Sequence, residues 1–158
     1  MLLEAKMRLI ESAWELLGSI EAVNFELFSA TSGEQVKVGW GAGRVMVQHR
    51  GSDQVVLEEQ GRWETPAGQS FRFSNAYRWT RAADYLQIEH VRRGAEHPVY
   101  LLALEPVSAD RLQSRSPHIC GADLYKASVR LGGGLVVEWQ VEGPKKQDRI
   151  VNKYQAAG

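Results

Sequence analysis

Apolar residues recur at two different periods along this 158-residue chain. Near the N-terminus Leu3, Met7, Ile10, Trp14 and Leu17 stand three or four positions apart, the spacing of one face of an α-helix. Gly18 follows the last of them and can take the left-handed position that ends a helix. The spacing predicts one amphipathic helix over about residues 2–17, with its stripe packed on the domain. Beyond Gly18 the period changes to two. Val23, Phe25 and Leu27 alternate with polar residues, as do Val36, Val38 and Trp40, and then Val45 and Val47. Val55, Leu57, Glu59, Gly61 and Trp63 share one face, and Phe71, Phe73, Asn75, Tyr77 and Trp79 share another. Arg72, Ser74, Arg78 and Thr80 point the opposite way from that second set. "YLQIEHVR", "VYLLALEPV", "HICGADLYKASV", "LVVEWQVE" and "DRIVNKY" continue the pattern. Alternation over so many segments predicts an antiparallel sheet with one buried face.

Turn-forming clusters separate these runs: "TSGEQ", "RGSD", "TPAGQ", "RRGAEHP", "LGGG" and "EGPKKQ". No linker, repeat or compositional break interrupts the series, so residues 1–158 read as a single domain. A sheet this long would expose two edges if it stayed open, and one helix is too little to cover it. Closure into a barrel removes the edges. The expected fold is mainly β: a single antiparallel up-and-down, calycin-like barrel of about eight to ten strands over about residues 22–155, with one N-terminal α-helix. Gly39, Gly41 and Gly43 look like a phosphate-binding loop, but a strand, "RVMVQH", follows where that loop needs a helix. They are read instead as a bend, a bulge or a close approach of backbones.

Charge narrows the choice of partners. Nineteen basic residues balance nineteen acidic ones, so bulk electrostatics favours neither nucleic acid nor an anionic membrane. Glu4, Lys6, Arg8, Glu11 and Glu15 break up the start of the chain, which argues against a leader, and no apolar run is long enough to span a bilayer. The only cysteine, Cys120, can form no internal disulfide, which suits a reducing compartment. A cytoplasmic protein is expected.

The candidate chemistry lies in "SPHICGADLYKASV", where His118, Cys120, Asp123 and Tyr125 fall within eight positions. On a regular strand His118 and Cys120 face one side and Asp123 and Tyr125 the other; a bulge at Gly121 would bring all four together. As a metal site the group is thin, because no second cluster of ligands exists and His49, His90 and His97 are scattered. No metal and no cofactor is expected. As pocket lining the group makes sense beside the aromatic set. Trp63, Trp79 and Trp139 would wall a site for a small ligand, and Tyr125 would join them. His118, Asp123, Asn75, Glu59 and Arg78 would orient the ligand. Lys145 and Lys146, in the turn after Gly143-Pro144, would form an anion-attracting rim. Polar residues at inward positions point to an interior cavity of a few hundred cubic ångströms, on the scale of small-molecule sites. A filled core in which these groups satisfy one another is the other arrangement.

Several stretches are specific enough to compare with known proteins. "GWGAGRV", "EEQGRW", "FSNAYRW", "HICGADLY" and "WQVEGPKK", in that order, resemble an uncharacterised bacterial family of small calycin-like barrels, a domain of unknown function. The resemblance runs from about Leu16 to Tyr154. Calycins include lipocalins, fatty-acid-binding proteins, nitrobindin-like haem barrels and bilin lyases. The resemblance implies a barrel with an interior pocket and implies no reaction. Three functions follow as expectations. The first is a barrel binding a small apolar or aromatic molecule. The second is a small enzyme or cofactor-handling barrel using His118 with Asp123 or Tyr125. The third is a module without ligand that forms a homodimer through its helix or a sheet edge.

Overall fold

A computed structural model describes residues 1–31, 33–91 and 98–156. One helix, α1 (Leu3–Leu17), precedes eleven strands. They are β1 (Ile20–Thr31), β2 (Glu34–Arg50), β3 (Gln54–Glu64), β4 (Ser70–Arg81), β5 (Leu86–Val91), β6 (Pro98–Ser108), β7 (Arg111–Ser114), β8 (His118–Cys120), β9 (Asp123–Leu131), β10 (Leu135–Glu142) and β11 (Gln147–Ala156). Neighbouring strands pair antiparallel around a closed circuit in which β1 joins β11 and β10 joins β9. The short strands β7 and β8 pair with different halves of β9 on the same edge, so they share one position. The result is the expected barrel, with ten strand positions. Alternating residues turn inward because only that face escapes water, and closure of the circuit leaves no long open edge.

The helix closes one end. It packs against β6 and β10 through Leu9, Ile10, Ala13 and Leu17, all buried, with Trp14 and Leu16 at the margin. This corrects the predicted stripe. Leu3 is 59% and Met7 42% exposed, because the first turns run past the barrel end. Gly18 also departs from expectation: its φ of −70° and ψ of −12° are right-handed. Its N–H still bonds the Trp14 carbonyl at 3.1 Å, and the chain passes directly into β1. Arg81 ties the helix to the β4 end, reaching Glu11 at 2.9 Å and lying over the Trp14 ring. Ile10→Ala leaves a hole where the plug meets the barrel, so it is expected to cost about 2–5 kcal/mol in urea denaturation. A loss near zero would mean that the helix is not part of the cooperative unit.

Two further differences concern turns. "HICGADLYKASV" is not one bulged strand but a hairpin, β8 and β9, with Gly121 at its tip in the left-handed region at φ +63°. β7, in "DRLQSRSP", carries one buried apolar residue, Leu112, and so showed no alternation. The turn cluster "RRGAEHP", with His97, lies at residues 92–97, outside the described residues apart from Pro98.

The glycine reading holds. Gly41, Gly43 and Gly61 line the inner face of β2 and β3, where Gly41 pairs with Trp63 and Gly43 with Gly61. Space for a Cβ at Gly41 is already taken by the Phe25 ring, and at Gly43 by the Phe73 ring 2.8 Å away. β2 is continuous through all of them, and its register against β1 shifts between Leu27 and Phe28.

Candidate functional site

The two ends of the barrel differ. Hairpins at residues 51–53, 82–85 and 132–134 lie at the helix end, and those at 65–69, 121–122 and 143–146 at the opposite, open mouth. Trp79, Leu57, Leu86, Leu104 and Val129 are sealed inside the helix half. Trp139 reaches across from β10 to meet Tyr77 of β4, with ring centroids 6.3 Å apart and planes 24° from parallel. His90 of β5 stacks on the same tyrosine at 5.0 Å. These three rings form a plate across the middle of the barrel. Toward the mouth the inner-facing residues Trp63, Phe73, Asn75 and Tyr125 are only half-buried, as are Ile150, opposite Trp139, and Asn152, opposite Val137.

Glu59 stands one residue pair closer to the mouth than Tyr77, because Leu57 pairs with Tyr77 and Glu59 with Asn75. It is 3% exposed, and the Tyr154 hydroxyl donates a short hydrogen bond to one of its carboxylate oxygens. Its other oxygen accepts no bond among the described residues. Burial pushes its pKa up to about 7, and the tyrosine bond only partly opposes this. Burial pushes the Tyr154 phenol well above its ordinary value, and the nearby Glu59 carboxylate adds to the rise. One step further out, Phe25 and Phe73 meet edge to face at 5.0 Å.

The cluster of His118, Cys120, Asp123 and Tyr125 lies at the rim. The β8–β9 hairpin pairs His118 with Tyr125 and Cys120 with Asp123, so a turn, rather than a bulge, brings all four to one face. His118 meets Tyr125 with centroids 6.3 Å apart, and Cys120 is exposed. Asp123 is engaged by Lys146 at 3.4 Å, across the 143–146 turn. That carboxylate raises the Lys146 pKa above the ordinary lysine value. Lys145 is exposed in the same turn. Trp79 belongs to the sealed half, away from the mouth. Arg78 lies on the outer face and bonds Glu89 at 2.7 Å, so it does not line the interior. Among the described residues no three His, Cys, Asp or Glu side chains are placed to hold a metal ion. Tyr154, Asn152 and Phe25 were not among the candidate site residues read from the sequence, while Phe73 was placed on the inward face with Asn75 and Tyr77. The alternation of Ile150, Asn152 and Tyr154 in "DRIVNKY" is the signal that carried two of them.

The concavities that stand out among the described residues both open on the outside of the barrel. One, of about 1510 Å³, runs over β1–β4 between Trp40 and Met46. Arg44, Arg62 and Arg72 line it together with Glu58 and Glu64; Arg62 and Arg72 are direct cross-strand partners. The other, of about 270 Å³, lies over β7, β9 and β10. Neither is the interior cavity expected from the aromatic set, because the rings of Trp139, Tyr77 and His90 occupy the middle of the barrel.

A family model described as a family of unknown function, DUF6314, matches residues 10–156. No curated protein matches the chain.

Proposed function

The chain belongs to the DUF6314 family of unknown function, and we propose that it is a ligand-binding barrel whose open mouth receives a small, largely apolar or aromatic molecule. One observation carries this reading. The inner face is sealed on the helix side of the Trp139–Tyr77–His90 plate, but on the mouth side its aromatic and amide side chains stay half-exposed. Rings left open to water on a concave face, beside a few polar groups, are the usual composition of a small-molecule site. On this reading the ligand rests on the plate, between Trp63, Phe73 and Tyr125. Following the resemblance noted from its sequence, we read the protein as a calycin-like barrel of the bacterial cytoplasm. The exposed, unpaired thiol of Cys120 suits a reducing compartment.

Titration of the labelled protein with phenethyl alcohol, followed by two-dimensional NMR, tests this. Saturable shifts are expected at Asn75, Tyr77, Asn152 and the Trp63 indole. Asn152→Phe, which fills the mouth beside Phe25, should abolish them while the spectrum stays folded. Shifts that rise linearly, or that fall only on the outer face of β1–β4, would sink the reading.

A second reading, a homodimer built on the helix, draws support from Leu2, Leu3 and Met7, which expose apolar surface at the start of α1. Native mass spectrometry of protein taken from cells separates the two, since it records both a retained ligand and a doubled chain mass.

A further inference from the structure

We propose that the molecule received at the mouth carries a protonated amine, with Glu59 as its anchoring group; this rests on the small-molecule reading above. Glu59 is a carboxyl group on the inner face of β3, one residue pair mouthward of Tyr77, whose ring stacks on Trp139. Tyr154 donates to one of its oxygens, and the other has no donor among the described residues. A carboxylate held in this buried setting with no countercharge among the described residues is costly. Burial and the Tyr154 bond are the influences that act on it, and no lysine or arginine among the described residues contributes. The ionisable groups facing it are Tyr154 from β11 and Tyr77 from β4, with His90 of β5 stacked on Tyr77. Asn75, its cross-strand neighbour on β4, is neutral. An apolar side chain of the same volume would serve packing at least as well.

What the site lacks is a donor that also brings positive charge. An alkylammonium supplies three donors and the charge. A carboxylate or phosphate on the ligand would instead meet an acid with no neighbouring cation among the described residues. The Asp123–Lys146 pair at the rim is already neutralised and leaves the choice to Glu59. Because the ammonium favours ionised Glu59, its affinity rises with pH through the range in which that carboxyl ionises.

The experiment compares phenethylamine with phenethyl alcohol, which share ring and chain, by NMR titration of the full chain at pH 6 and pH 8. The amine stays protonated throughout. At pH 8 it is expected to bind about tenfold more tightly than the alcohol, the usual advantage of a charge-assisted hydrogen bond over a neutral one. The advantage should shrink at pH 6 and vanish in Glu59→Gln, which keeps an acceptor for Tyr154. Equal affinities in the unaltered protein, or a preference that survives Glu59→Gln, would overturn the proposal while leaving the mouth as a binding site. If neither probe binds, the small-molecule reading falls and the amine inference falls with it.

Discussion

Gly61→Ala is expected to lower the melting temperature by roughly 6–12 °C, corresponding to about 3 kcal/mol of overpacking in a chain of this size. A methyl group at position 61 would land on the carbonyl oxygen of Ala42 and 2.6 Å from the Cα of Gly43. Both atoms are backbone, so no side chain can rotate away to make room. Relief requires β2 and β3 to separate where Gly43 pairs with Gly61, and that pair stands beside Phe73, which also needs the space above Gly43. The two backbones approach this closely only because neither position carries a Cβ. Gly51→Ala is the control. Gly51 sits in a β2–β3 turn at φ +66° with nothing within 4 Å of an added Cβ, so it should lose only the cost of left-handed backbone, about 1–2 kcal/mol. Differential scanning calorimetry of both variants decides the matter. Equal melting for Gly61→Ala and the unaltered protein would mean that the two strands are further apart than the packing requires.

The parts of this architecture that could be read from the sequence are those governed by one-sided burial. Val55, Leu57, Glu59, Gly61 and Trp63 share a face in the sequence and share the inner face of β3. The same holds for Phe71 to Trp79 on β4, because a strand with water on one side must alternate. The misreadings arise where that rule loses its grip. β7 has one inward apolar residue and no room for a period. Val36 and Val38 alternate as if buried, but they belong to the part of β2 that extends past the barrel, where both are exposed. Arg78 was placed by the alternation itself on the face opposite Asn75 and Tyr77, and its partnership with Glu89 follows that placement. At the site, Glu59 was visible as a polar residue in an apolar series. Tyr154 was not, because the bond joins residues 95 positions apart through the closing pairs of the barrel. Contacts of that kind depend on strand tilt and closure, which a local pattern does not encode.

Glu59→Gln is expected to make the protein more stable at pH 8 by about 3 kcal/mol and to leave it nearly unchanged near pH 4.5. The sign follows from the proton balance. In the unfolded chain the Glu59 carboxyl ionises near its ordinary value of 4.5, and in the fold only near about 7. Between these values the unfolded chain has lost the proton and the folded chain has kept it, so stability falls as pH rises through that window. Above it both states are ionised, and the fold bears the full penalty of a buried charge. Below it both are neutral and the penalty is absent. Glutamine does not ionise, and its carbonyl oxygen can still accept the Tyr154 hydroxyl hydrogen. Tyr154→Phe acts in the opposite sense. It removes the bond that lowers the Glu59 pKa, so the fall in stability should extend to higher pH. Urea denaturation of the three proteins from pH 4.5 to 8 tests the set: the gap between Glu59→Gln and the unaltered chain should open steadily with pH. Parallel curves would mean that Glu59 ionises in the fold as it does in water and is not buried as described. If the gap opens, the barrel carries at neutral pH a carboxyl that a neutral isostere would improve upon. Such a group fits the proposed amine site, and the same substitution that stabilises the fold is the one expected to abolish the preference for an amine.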